Sequence, residues 1–380
     1  MNDRDSEALL GLFLRDGYRQ ANSEKDADVI LVNTCSVRDH AENRALSFLG
    51  SLKKLKTYNL KLTTKPVIGL IGCMAKNRGD EVFSKMPHVD LVCGPAAFFR
   101  LPDYIKEIQA RGLRVKDLED RERDESFYGA VFRESRNQAQ VVISTGCSNY
   151  CSYCVVPYTR GKLRPRRPES IVAEIKENIR MGRKKITLLG QNVNDYRSTL
   201  ALSGAEGFDV RRSTLKTNNF VDFVGLLKMI DRVEGLEELD FVTSNPKNTS
   251  EDLFKFMAES KKIKKHLHLP FQSGSDRILK LMGRGYTRKK YIELAAQYKK
   301  ITKGTLGTDI IVGFPTETEE DFKQTLDLVK EVRFKYAFIF KYSPRLRTKA
   351  SRMKDDIPES VKKRRHKKLL DLQKEISKTI

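Results

Sequence analysis

Gln140-Val-Val-Ile-Ser-Thr-Gly-Cys-Ser-Asn-Tyr-Cys-Ser-Tyr-Cys154 sets the reading of the whole chain. It begins as an apolar strand and runs into a tight loop carrying Cys147, Cys151 and Cys154, with gaps of three and then two residues. That spacing lets three thiolates face one point, the pattern of a metal centre. A closed zinc site needs four ligands, often from a second Cys-x-x-Cys or a His pair, and the nearest downstream histidines are His266 and His268, far along the chain. An iron–sulfur cube held by three thiolates keeps one iron open for a non-protein ligand, and the spacing suits that better. Free buried thiols prefer apolar surroundings, whereas these stand among Ser, Asn and Tyr.

Further segments extend the pattern: Val155-Val-Pro-Tyr-Thr-Arg-Gly161, Leu189-Gly-Gln-Asn-Val-Asn194, Thr243-Ser-Asn-Pro-Lys247, Leu269-Pro-Phe-Gln-Ser-Gly-Ser275 and Asp309-Ile-Ile-Val-Gly-Phe-Pro315. With Tyr153 before the last cysteine, the Cys-x-x-x-Cys-x-x-Cys run resembles the radical S-adenosylmethionine superfamily. The other segments, spread over nearly the whole chain, are similar to its methylthiotransferases. The resemblance implies that Cys147, Cys151 and Cys154 hold a catalytic [4Fe–4S] cluster whose open iron chelates S-adenosyl-L-methionine. It further implies a 5′-deoxyadenosyl radical that takes hydrogen from C2 of an adenine, an auxiliary [4Fe–4S] cluster that supplies sulfur, and a second S-adenosyl-L-methionine that methylates it. The Gly190-Gln-Asn-Val-Asn-Asp-Tyr196 run favours the branch acting on N6-isopentenyladenosine beside the tRNA anticodon. A sister branch acting on threonylcarbamoyladenosine or on a ribosomal protein, and an RNA-binding homologue without full activity, are the alternatives.

The chain has 380 residues, 39% of them apolar, enough for two domains with cores of their own. Its 72 Lys+Arg against 50 Asp+Glu leave a net charge of +22, a field that attracts polyanions, so tRNA is the expected partner. A generically lysine-rich surface would give the same charge without one. Clustered cysteines point to metal binding in a reducing compartment rather than to disulfides. No apolar run approaches membrane-spanning length and the first residues lack a signal pattern. A cytoplasmic monomer reduced by an electron-donor protein is the expectation.

The fold class expected is α/β: a Rossmann/flavodoxin-like open sheet, lacking its first strand, in residues 1–112; a charged linker at 113–139; a partial (β/α)6 barrel in 140–345; and a basic helix at 346–380 leading toward an RNA-binding β-barrel (TRAM) domain absent from this chain. Apolar runs at 29–32 and 67–71 end at Cys35 and Cys73, and a third, at 89–92, ends at Cys93. In open α/β sheets ligands bind at that edge, so Cys35 and Cys73 are expected to share one. The resemblance makes them ligands of the auxiliary cluster and leaves Cys93 as a core thiol. From residue 140 onward, strands near 141–144, 185–189, 238–242, 265–269, 307–312 and 336–340 alternate with helices near 168–181, 221–233, 251–259, 287–300 and 317–332, the rhythm of a parallel sheet with crossover helices. Thr316-Glu-Thr-Glu319 predicts a capping box, 197–219 is a polar insertion without assignment, and 358–380 reads as a basic helix with a largely solvated face.

The active site is expected at the carboxyl ends of the barrel strands. Groups there should hold the rest of S-adenosyl-L-methionine: Tyr153 against the adenine, Gln191 and Asn192 after the second barrel strand, Ser244 after the third and Gln272 after the fourth. Turn chemistry explains such amides and hydroxyls equally well. Arg160, Lys162, Arg164, Arg166 and Arg167 could reach substrate phosphates, while His268 and Asp309 read as hydrogen-bonded core groups. In the family pattern a further cysteine precedes Cys35, and Met1-Asn2 aligns with the end of that segment. The chain as written is therefore expected to cleave S-adenosyl-L-methionine yet methylthiolate tRNA poorly, and an upstream-extended form should do both. Iron content and methylthio-nucleoside formed by the two forms and by Cys93→Ser decide this: full activity in both short forms would remove the three-cysteine requirement.

Overall fold

The computed structural model describes the chain except residues 37–38, 59–64, 122–124, 130–131 and 200–219. The unassigned polar insertion lies, from residue 200 onward, outside the described residues.

Four parallel strands form the N-terminal sheet in the order β1 (Val29–Thr34), β2 (Val67–Gly72), β3 (Leu91–Cys93) and β4 (Val115–Asp117). β2 is buried along its whole length, as a parallel strand covered on both faces must be. Its alternate residues serve different cores. Val67 and Ile71 pack with Ala8 and Leu9 of the first helix (Asn2–Arg15) and with Phe98 and Ile105. Ile68 and Leu70 pack with Leu49, Met74 and Val92 on the other side. β4 corrects the linker expected at 113–139: three of its residues are a strand of this sheet, and Phe127 and Tyr128 farther along are buried. High charge density concealed a three-residue edge strand.

Six parallel strands make the second sheet: β5 (Gln138–Val142), β6 (Lys185–Leu189), β7 (Glu238–Phe241), β8 (His266–His268), β9 (Thr305–Val312) and β10 (Tyr336–Lys341). β5–β6–β7 and β8–β9–β10 are each continuous, and a parallel bridge between Leu239 and Ile263 joins the two halves. Helices Pro168–Arg180, Phe223–Asp231, Glu251–Glu259, Arg288–Thr302 and Glu319–Val332 cover the outer face. This is the partial (β/α)6 barrel expected. The helix Asp276–Met282 was not anticipated; seven residues are too few to show a periodicity. The capping box is formed by Thr318 and Asp321, two residues beyond the one expected.

The C-terminal helix Glu359–Ser377 departs from its solvated reading. Leu369 and Ile376 join the barrel core, Gln373 donates to the Phe334 carbonyl at 2.8 Å, and Arg365 pairs with buried Glu317 at 2.8 Å. Sparse apolar positions suffice when long basic side chains bury their stems and bond inward.

Two features fasten the N-terminal unit to the barrel. Val142 and Leu189, at the carboxyl ends of β5 and β6, belong to the same apolar cluster as Leu9, Phe98 and Leu101. Beside it, Glu174 lies 7% exposed within reach of three arginines: Arg133 and Arg166 at 2.6 Å, and Arg4 at 3.7 Å. Tyr128 sits between Arg4 and Arg166, its ring about equally far from both cations, and its hydroxyl donates to Asp5 at 3.1 Å. Burial, then the charge of Arg4, pulls the Arg133 guanidinium down to about 10. Removing one partner from such a buried group typically costs about 3–5 kcal/mol. Glu174→Gln should therefore lower the urea midpoint steeply, whereas Glu177→Gln on the same helix, an exposed neighbour, should shift stability by no more than about 0.5 kcal/mol.

Candidate metal centre

The cysteine loop leaves β5 through a two-residue ladder of Ser144–Thr145 with Arg164–Pro165. Gly146 must turn at φ +70°, and a Cβ there would meet the Lys162 carbonyl oxygen at 2.1 Å, so the sequence needs glycine at this point. Cys147 N–H donates to the Gly161 carbonyl at 3.1 Å and Cys154 N–H to the Cys151 carbonyl at 2.9 Å. The loop is held from outside as well: Ser152 N–H donates to Met282 O and Ala350 N–H to Ser152 O.

Cys151 is buried, and Cys147 and Cys154 are half-buried. Among the described residues, no group of three or more Cys, His, Asp or Glu converges on a single ion. A closed zinc site needs that convergence. A cube does not, because each thiolate takes a different iron. Burial pushes the Cys147 thiol up, and burial followed by the charge of Cys151 pushes Cys154 up to about 12. Bare, these thiols are protonated at neutral pH, and a bound metal centre is what would hold them as thiolates. Asn149 Nδ2 and Arg284 Nη1 already face the sulfurs of Cys147 and Cys151, at 3.5 and 3.4 Å.

Of the expected cofactor groups, Gln191 and Asn192 lie in the loop after β6, Ser244 in the loop after β7 and Gln272 in the loop after β8. The loops after β6 and β7 are tied by Val193 N–H donating to Thr243 O at 3.0 Å. In them, Asn192 and Ser244 are buried, and the Asn192 Oδ1 and Ser244 Oγ atoms have no hydrogen-bond partner. Thr243 at φ +72° and Gln272 at φ +70° hold left-handed backbone conformations that non-glycine residues rarely adopt. Gln272 is buried and fixed on both sides, its N–H donating to Asp309 O and its carbonyl accepting from Ile311 N–H. Gln191 is half-buried in the same turn as Asn192. Buried polar atoms lacking partners are costly, so Asn192 and Ser244 suit a polar ligand. Tyr153 packs beside Ile278, Met282, Phe314 and Tyr342.

Cys35 and Cys73 follow Thr34 and Gly72, which are partners across the β1–β2 ladder, so the two residues leave adjacent strand ends together. Cys93 is different: it pairs with Ile71 inside the sheet and is wholly buried in the core. Arg160 is a correction to the sequence reading. Instead of reaching for phosphates it is buried, side chain 3% exposed, with Nε donating to Cys73 Sγ at 3.1 Å and Nη2 to Asp5 Oδ2 at 2.8 Å and to Asn2 Oδ1 at 3.0 Å. Arg166 is likewise buried against Glu174 and the Val142 carbonyl. Of the basic run, Lys162, Arg164 and Arg167 remain exposed.

Inside the barrel, Gln140, Thr187 and Asp240 form one row across β5, β6 and β7. Opposite them His268, Gly307 and Tyr336 form a row across β8, β9 and β10. The His268 and Tyr336 rings stack at 5.8 Å over Gly307, where a Cβ would strike the tyrosine ring at 2.5 Å. Phe338, half exposed, lies tilted at 58° against the His268 ring, and Asp309 lies 3.3 Å from His268 Nε2. Sequence reasoning gave His268 and Asp309 a core role and missed Tyr336, Phe338 and Arg284; strand alternation through Tyr336 and Phe338 is the signal that could have found the rings.

Residues 141–329 match the Radical SAM superfamily model, and residues 1–94 match the family described as Uncharacterized protein family UPF0004. The tRNA-2-methylthio-N(6)-dimethylallyladenosine synthase of Clostridium beijerinckii is 40% identical over 98% of this chain and 78% of its own. The enzyme of that name from Carboxydothermus hydrogenoformans is 42% identical over 99% of this chain and 82% of its own. Among solved structures, the radical S-adenosylmethionine methyltransferase TsrM from Kitasatospora setae shares the fold, with a TM-score of 0.60 at 14% identity over 89% of this chain and 70% of that one. The exposed and buried arginines should separate in experiment. Lys162→Ala, Arg164→Ala and Arg167→Ala should each weaken RNA binding and flatten its salt dependence by about one phosphate contact. Arg160→Ala should instead lower the urea midpoint, because Asp5 stays buried without its cation.

Proposed function

The chain belongs to the tRNA-2-methylthio-N(6)-dimethylallyladenosine synthase family of radical S-adenosylmethionine methylthiotransferases, and from that membership we propose that it converts N6-isopentenyladenosine next to the tRNA anticodon into the 2-methylthio derivative. The observation that supports the reading is the 3.1 Å bond from Arg160, in the segment that follows the three-cysteine loop, to Cys73 at the end of β2. Cys147, Cys151 and Cys154 would hold the catalytic [4Fe–4S] cluster, and Cys35 and Cys73 would contribute to an auxiliary one. When bound, the catalytic cluster and S-adenosyl-L-methionine supply one-electron chemistry able to open an unactivated C–H bond, which no acid–base side chain does.

The chain's own residues bind and orient. Asn192 Oδ1 and Ser244 Oγ offer the cofactor unsatisfied acceptors in a buried site, and Gln191, Gln272 and Tyr153 flank it. The ring stack of His268, Tyr336 and Phe338 gives an unpaired adenine a face to lie on, as single-stranded bases are taken up by aromatic side chains. Lys162, Arg164 and Arg167 offer cations to the phosphates, and the +22 charge draws tRNA to that face. Among the described residues, no helix is long and apolar enough to cross a membrane. An electron-donor protein, action as a monomer and a cytoplasmic location complete the reading.

Nucleoside analysis of tRNA from a deletion strain, with and without this gene, is the direct experiment. Restored 2-methylthio-N6-isopentenyladenosine supports the assignment, and restored 2-methylthio-threonylcarbamoyladenosine would move it to the sister branch. Changing Cys147, Cys151 and Cys154 together to Ala should abolish both iron binding at that site and release of 5′-deoxyadenosine. Unchanged release in that variant overturns the cluster assignment. Transfer-RNA affinity should fall on the order of tenfold or more between 50 and 200 mM salt, through counterion release.

A further inference from the structure

Arg284 lies on the loop after Asp276–Met282 and is 6% exposed. Its guanidinium is bonded on every nitrogen: Nε donates to the Tyr286 hydroxyl at 2.9 Å, Nη2 to the Pro270 carbonyl at 2.9 Å, and Nη1 to Cys151 Sγ at 3.4 Å. None of these partners is a carboxylate. Tyr286 is itself committed to the Phe271 carbonyl at 3.0 Å, and its ring lies 5.2 Å from the Arg284 cation. The contrast with Arg160, which has Asp5, and with Arg166, which has Glu174, is plain. A buried cation without a counter-ion is strongly unfavourable, so its position beside a cluster-type thiol needs an anion there. The loop is also built to approach the cysteines. Gly283 turns at φ +69° with Tyr150 O and Ser152 N at 4.0 and 3.9 Å from where a Cβ would stand, and Met282 O accepts from Ser152 N–H at 2.9 Å.

We propose that Arg284 is a positioning residue for the catalytic centre: its N–H donation to Cys151 and its uncompensated buried charge raise the reduction potential of the cluster held by Cys147, Cys151 and Cys154. This rests on the assignment of that cluster. One-electron reduction by an external donor adds negative charge to the cluster, and a cation in a low-dielectric site stabilises the reduced form more than the oxidised one. Hydrogen bonds to the sulfurs act in the same direction and are among the levers that set such potentials. The same contacts brace the loop around Cys151, so stability and potential have to be read separately.

The experiment uses the full chain carrying Cys35→Ser and Cys73→Ser, reconstituted anaerobically so that the three-cysteine site alone is loaded, with iron content and the midpoint potential read by EPR-monitored redox titration. Arg284→Gln keeps a donor and loses the charge; Arg284→Lys keeps the charge and loses the planar fork. The Gln variant should show a reduced-to-oxidised ratio at least tenfold lower at a fixed potential, a 59 mV fall for a one-electron couple, while the Lys variant's ratio stays within tenfold of the parent's. Equal midpoints in the parent and Gln proteins, or equal falls in Gln and Lys, overturn the proposal and leave Arg284 a strut. Loss of iron in Gln but not in Lys supports it; loss in both with the fold intact overturns it. Absence of iron in the parent itself would overturn the cluster assignment instead.

Discussion

Glu174 is one carboxylate answering three arginines that come from the first helix, the segment before β5 and the loop after the cysteines. Of the three, Arg4 reaches Glu174 from the N-terminal unit, so this ionic knot includes one contact across the seam between that unit and the barrel. The apolar contacts of Val142 and Leu189 with Leu9 and Phe98 supply the larger burial, and burial of this kind has no direction. The charged groups add the direction. The placement that brings Arg4 to Glu174 also carries Asp5 to Arg160 and Arg160 to Cys73.

Seen this way, the two thiol sets are wired differently. At Cys73 the neighbouring cation, Arg160, is paired with Asp5 at 2.8 Å. At Cys151 the neighbouring cation, Arg284, has no carboxylate partner among the described residues. A centre assembled at the second site therefore meets net positive charge, while one at the first meets a charge already compensated. That asymmetry is a physical difference built into the chain itself.

Beneath the mouth, the barrel interior divides into a polar row on β5 to β7 and a ring stack on β8 to β10. The absence of a side chain at Gly307 makes the stack, since any Cβ would occupy the space the tyrosine ring takes. The constraint is again geometric: the register of three strands sets which side chains share a row.

The sequence by itself determined whatever is periodic or closely spaced. The six barrel strands, the helix Pro168–Arg180 with Ile171 and Ile175 inward, the three-cysteine loop and the paired positions of Cys35 and Cys73 could all be read locally, because strand and helix patterns repeat over a few residues. Tertiary structure alone decided where charges went. Arg160 and Arg166 belong to an ordinary-looking basic run, and nothing within ten residues of Arg160 reveals that its partner is Asp5, 155 positions away. The terminal helix Glu359–Ser377 looked solvated for the same reason, since Glu317 and the Phe334 carbonyl that receive its buried Arg365 and Gln373 lie on other elements. β4 and the Arg284 loop were too short to carry a pattern. Apolar periodicity records which face of an element is buried, but a buried ion pair is a relation between two distant points, and only the folded chain brings those points together.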